Sequence, residues 1–105
     1  MERGIWATRR AVTAWSSWTT TGVIAGPGGV ATVEVGVVTG DLTVHTTWSS
    51  DDGLALVAVQ FTGASDWFTM EGGPAHCSSE SESRELHQAA VDAARRGGRA
   101  TVPIK

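Results

Sequence analysis

From Val30 onward apolar and polar positions alternate along the chain. Thr32-Val33-Glu34-Val35-Gly36-Val37 has the period of two that lays one side of a strand against a core, and Val38-Thr39-Gly40-Asp41 supplies a turn. Leu42-Thr43-Val44-His45-Thr46-Thr47-Trp48 then alternates again, so the two runs are expected to pair as a hairpin. Ser49-Ser50-Asp51-Asp52-Gly53 closes the second run, because Asp and Ser side chains bond nearby backbone and Gly accepts positive φ. Leu54 to Phe61 is apolar with almost no polar interruption, and Thr62-Gly63-Ala64-Ser65-Asp66 turns it into Trp67-Phe68-Thr69-Met70-Glu71. The expectation is an antiparallel meander of four strands.

After Gly72-Gly73-Pro74 the period changes to that of a helix. Ser79 with Glu82 three residues on forms a capping box, and Glu80, Glu82 and Glu85 put negative charge at the positive end of the dipole. Arg95 and Arg96 suit the other end, and Gly97-Gly98 provide a left-handed cap, which predicts a helix from near Glu80 to near Arg96. Leu86, Ala89, Ala90, Ala93 and Ala94 fall on one face, with Glu85, Gln88, Asp92 and Arg96 opposite. An alanine face lets the helix lie close on a sheet. Only Leu86 and Val91 bring much apolar area, each worth about 1.5–3 kcal/mol when fully buried. Ala100 to Ile104 is expected as a short fifth strand, confined to an edge by Pro103. The fold class is therefore α+β: a four-stranded antiparallel meander with one C-terminal helix packed on one face.

That architecture creates a burial problem. In the third strand Ala55, Val57, Val59 and Phe61 point one way and Leu54, Leu56 and Ala58 the other; in the fourth, Phe68 and Met70 oppose Trp67 and Thr69. A single helix covers one face of a sheet. If it covers Phe61, Phe68 and Met70, then Leu54, Leu56 and Trp67 require a second cover, and exposed apolar patches of that size mark interaction surfaces. The N-terminal segment folded back, a second copy of the chain, or a ligand or partner protein would each serve. The expected interaction surface is Leu54, Leu56 and Trp67, with Trp48 beside them, and the expected partner is a protein or a second copy.

The segment before Val30 is different. Trp6, Trp15 and Trp18 sit among Ser and Thr, fitting neither a helical nor an alternating template. Gly26-Pro27-Gly28-Gly29 separates this stretch from the alternating region. Residues 1–29 carry a net charge of +2 and residues 30–105 one of −5, so the division expected is a Trp-rich arm or extension over 1–29 and a small α+β domain over 30–105. Arg9-Arg10 invites comparison with a twin-arginine export signal, but Ser16, Ser17, Thr19, Thr20 and Thr21 interrupt the apolar region such a signal needs. The cytoplasm is the compartment expected, with export the alternative.

Composition narrows the function classes. A length of 105 residues makes one domain, and 41 % hydrophobic with 18 % charged residues is a globular balance. No apolar run reaches the roughly 18 residues of a membrane helix. The single Cys77 excludes an intramolecular disulfide and a cysteine-rich zinc module. With a net charge of −3, and basic residues clustered only as Arg95, Arg96 and Arg99 at the helix end, no nucleic-acid footprint is expected. Seven Arg to one Lys, with Asn and Tyr absent, reads as the codon bias of a high-GC and bacterial source.

The candidate chemistry is thin. His76-Cys77 precedes the helix, where the dipole lowers a thiol pKa, while Glu80, Glu82 and Glu85 oppose that effect. His87 lies at the edge of the apolar arc beside Val91 and Ala94, the position of a half-buried imidazole, and His45 shares a polar phase with Thr43 and Thr47. His76, Cys77 and His87 lack the ligand spacing of a zinc site, so no metal is expected. Asp51-Asp52-Gly53 is turn chemistry, and Gly26-Pro27-Gly28-Gly29 lacks the lysine of a phosphate loop, so no cofactor is implied. The function expected is a non-catalytic binding or regulatory module that makes protein contacts. The competing class is a small enzyme or ligand-binding domain using Cys77 with a histidine.

Overall fold

The computed structural model of the protein describes residues 14–104. In chain order these form strands β1 (Trp15–Ile24), β2 (Val30–Thr32), β3 (Gly36–Val38), β4 (Asp41–Ser49), β5 (Leu54–Phe61), β6 (Phe68–Thr69) and β7 (Ala75–His76), then helix α1 (Glu80–Arg96). The main sheet is antiparallel in the order β1-β4-β5-β6, with β7 pairing the start of β5, while β2 and β3 make a separate two-stranded hairpin. This is the expected α+β class, with one helix on one face of an antiparallel sheet.

Helix α1 forms where local chemistry dictates. Ser79 is the N-cap and its side chain accepts from the Glu82 N–H. The Glu82 carboxylate reaches back one residue further than a capping box requires, accepting from the Ser78 N–H and hydroxyl. At the other end the Gly97 N–H donates to the Ala93 carbonyl. The buried helix face holds Ser83, Leu86, His87, Ala90, Val91, Ala93 and Ala94, with Ala89 at its margin. It meets Leu42, Val44, Val57, Val59 and Met70, all within 2 % of full burial, in one core cluster.

Three strand assignments differ from the sequence reading. The run 32–37 is not one strand but part of a hairpin, β2–β3, folded back over residues 33–35. Thr32 closes it: its hydroxyl donates to the Gly36 carbonyl and accepts from the Val35 N–H, and Gly36 takes φ +75. The first strand of the meander is instead β1, which lies inside the segment expected to be an arm and pairs with β4 from Trp15↔Ser49 to Ile24↔Asp41. Residues 100–104 form no strand. Ala100 makes an isolated parallel bridge to Val30 and the Val102 N–H bonds the Glu71 carbonyl, after which Pro103 has no N–H to offer. Trp6, Arg9 and Arg10, and with them the export-signal comparison, lie outside the described residues.

The Gly26-Pro27-Gly28-Gly29 stretch connects β1 to β2. It runs backbone to backbone against the end of α1: Gly26 N–H bonds the Ala94 carbonyl, Gly98 N–H the Pro27 carbonyl, and Arg99 N–H the Gly28 carbonyl. A Cβ on Gly26 would lie 2.3 Å from the Arg95 carbonyl oxygen, a distance no side chain tolerates. We therefore expect Gly26→Ala to cost about 3 kcal/mol or more through overpacking. Gly22→Ala, in open space at φ +69, should cost only the left-handed penalty of about 1–2 kcal/mol. Urea unfolding midpoints of the two variants, compared in one series, check the order.

Candidate functional site

The two faces of the main sheet are chemically distinct. Cross-strand register puts Ser16, Trp48 and Ala55 in one row, Trp18, Thr46 and Val57 in the next, and Thr20, Val44 and Val59 in a third, all on the side of α1. The outer side carries the intervening rows: Ser17, Thr47 and Leu56, then Thr19, His45, Ala58 and Thr69, with Trp15 at one corner and Leu54 beside His76 at another.

On the inner side the first half of β1 meets α1 through hydrogen bonds, while Val23 further along is buried in the apolar core. The Ser16 hydroxyl donates to the Glu80 carboxylate, the Trp18 indole N–H to the Ser83 hydroxyl at 3.1 Å, and the Thr20 hydroxyl pairs with His87 Nε2 at 2.8 Å. These residues stand at i, i+2, i+4 on the strand and i, i+3, i+7 on the helix, so two periodicities stay in step along one seam. His87 Nδ1 pairs with the buried Thr46 hydroxyl at 2.8 Å, which occupies both ring nitrogens. A neutral imidazole needs one donor and one acceptor partner, and two hydroxyls satisfy either tautomer. Burial holds the His87 pKa below its ordinary value, and the positive charge of a protonated His45 pushes the same way.

On the outer side Leu54 is 37 % exposed, Leu56 52 % and Trp67 44 %, so α1 covers none of the three. Trp67 packs against the His45 ring at a centroid distance of 5.6 Å, and His45 Nδ1 is held by the Thr19 hydroxyl at 2.7 Å. Trp15, 72 % exposed, extends the patch to the strand's end. Trp48 does not belong here. It is buried on the helix side with its indole N–H bonded to the Cys77 carbonyl at 2.9 Å, because its register partner Ala55 faces the core. Trp15, Thr19 and His45 join the face unannounced by the hydrophobic pattern, although the polar phase of His45 with Thr43 and Thr47 pointed outward.

A second concavity, with a volume of about 350 Å³, opens at the start of α1 and is lined by His76, Cys77, Glu82, Glu85, Leu86 and Ile104 among others. It brings His76 and Cys77 to one wall, and His87 is not among its lining residues. Cys77 is buried, its N–H donating to the Gly53 carbonyl. Among the described residues no three His, Cys, Asp or Glu side chains gather as metal ligands, and no helix is long and apolar enough to cross a membrane. Comparison with protein-family models, with curated proteins and with solved structures returned no match.

The seam predicts a pH dependence. A depressed folded pKa means that the His87 contribution is complete above the unfolded value of about 6.5 and is lost as pH falls through the folded value. Unfolding free energy measured by urea titration should therefore decline below about pH 6.5 in the native chain, and with a smaller slope in His87→Gln.

Proposed function

We propose that this chain is a small non-catalytic module that makes protein contacts through the outer face of its sheet. The observation that carries the reading is the one-sided position of α1: Leu54, Leu56 and Trp67 stand exposed on the face it leaves uncovered. Contact aromatics are effective when held rigidly, and the Thr19–His45–Trp67 chain holds an indole in place on the outer side of the sheet. The surrounding Ser17 and Thr47 hydroxyls suit a mixed apolar and hydrogen-bonding protein surface, a second copy included. A cytoplasmic setting and a bacterial source belong to the same reading and rest on composition.

A photo-crosslinking residue placed at position 56 in the source cell should give a discrete adduct, whereas one at Asp92 on the exposed face of α1 should not. Uncrosslinked monomer alone at position 56 would overturn the reading. Leu56→Asp should remove the contact at a stability cost of about 1–2 kcal/mol, from the buried half of the side chain and the poor fit of Asp in a strand.

The competing enzymatic or ligand-binding reading draws its support from the concavity that Cys77 and His76 share. Against it stand the 4 % exposure of Cys77 and the engagement of both His87 nitrogens by threonines. Iodoacetamide should modify Cys77 in the folded chain more slowly than free cysteine at neutral pH. A faster reaction would restore the competing class.

A further inference from the structure

β1 is the terminal strand of the main sheet, and the phase of its hydrogen bonds is set at both ends. The Ser50 N–H donates to the Ala14 carbonyl and the Ala25 N–H to the Gly40 carbonyl, each at 2.9 Å. In an antiparallel ladder the bonded residues alternate, so Ser16, Trp18 and Thr20 direct their main-chain groups at β4. Trp15, Ser17 and Thr19 direct theirs away from the sheet. Val57, whose carbonyl accepts from Met70 on the opposite side of β5, obeys the same alternation two strands away.

Among the described residues no strand pairs with this edge, and it lacks the devices that keep edges single. Trp15–Ile24 contains no charged residue and no proline, and its bulge comes only after Thr20, leaving a regular stretch of Ser, Thr and Trp. Its three outward residues are evenly spaced about Ser17. The geometry points to a second copy of the chain as the occupant: two β1 strands pair antiparallel about a two-fold axis at Ser17, joining both sheets into one. Ser17 faces Ser17 of the other copy, and Trp15 faces Thr19, an aromatic and β-branched pair of the kind that stabilises sheets. The pairing gives Trp15, the most exposed large apolar side chain among the described residues, a neighbour in Thr19 and in the His45 that Thr19 holds. An uncharged strand also meets its own image without repulsion.

Sedimentation velocity of the full chain over a concentration series tests this. The expected result is a monomer–dimer equilibrium in which Ser17→Lys, placing like charges face to face at the axis, lowers the association constant at least about tenfold. The Ser17 side chain is exposed, so the thermal midpoint of this variant should match that of the native chain at concentrations where both are monomers. Ser17→Cys treated with copper phenanthroline should give a disulfide-linked dimer, since directly bonded pairs stand about 5.5 Å apart at Cα, whereas Gln88→Cys should not. Monomer at every concentration overturns the pairing. So does slow amide exchange at Ser17 in a chain that sediments as monomer, which would give the edge to another segment of the same chain. A dimer that survives Ser17→Lys and is lost in Leu56→Asp overturns the edge pairing as well, while leaving the outer-face contact standing.

Discussion

A helix of 17 residues is about 25 Å long and about 10 Å wide, enough to roof two strands of a sheet and no more. α1 lies over β1 and β4, and the remaining inner surface along β5 is closed by Met70, Ala75, Cys77 and Val102. Among the described residues the core is built on the side this helix covers. The inner positions of β4 and of β5 up to Val59 are Val, Leu, Ala, Thr and Trp at near-complete burial, and the outer rows are left to meet water with hydroxyls wherever a strand allows it. Where β5 places Leu54 and Leu56, hydroxyls are missing. The exposed apolar face is therefore a consequence of the single helix acting on a strand that is apolar on both sides.

The roof is positioned by polar groups. Apolar contact alone is non-directional and would leave an alanine-faced helix free to slide along the sheet. Bonds from Ser16, Trp18 and Thr20 to Glu80, Ser83 and His87 admit one register, and Thr46 fixes the His87 ring from the neighbouring strand. Each such bond adds only about 0.5–1.5 kcal/mol net, but breaking one inside the seam leaves a desolvated partner at about 1–3 kcal/mol. That asymmetry makes a seam of modest strength a strong selector of alignment. The opposite end of α1 is fixed in another way, by the backbone of Gly26 to Gly28 against Ala94, Gly98 and Arg99.

This division explains what could be read in the sequence. α1 was legible nearly to the residue because caps, dipole charges and the alanine stripe are local. β4 and β5 were legible because half-buried strands alternate, and the outward phase of Leu54 and Leu56 came from β5 alone. β1 was hidden because its inner positions Ser16, Trp18 and Thr20 are satisfied by hydrogen bonds to helix side chains, which hydrophobic periodicity does not register. The β2–β3 hairpin was hidden because Val33, Val35 and Val37, all exposed, mimic the alternation of a buried strand. They are held off the core by the turn at Thr32 and by Glu34, whose carboxylate takes the Thr69 N–H and hydroxyl and is thereby kept below the usual carboxylate pKa. Trp48 was misplaced for a related reason: its facing depends on register with Ala55, which is a property of two strands rather than one.

The same residues of β1 take part in two surfaces. Trp15, Ser17 and Thr19 send their side chains to the outer face and their main-chain groups to the open edge, so any strand that docks along the edge also extends the face. Through Thr19 the edge is linked to His45 and on to Trp67, a path of one hydrogen bond and one ring contact that runs from the rim of the sheet to an exposed indole. Occupancy of the edge would restrict Thr19 and so the hydroxyl that orients His45 beneath the indole. With the one helix among the described residues lying on the other side, the exposed face and the rim along β1 form one continuous surface, and the physical chemistry of each bears on the other.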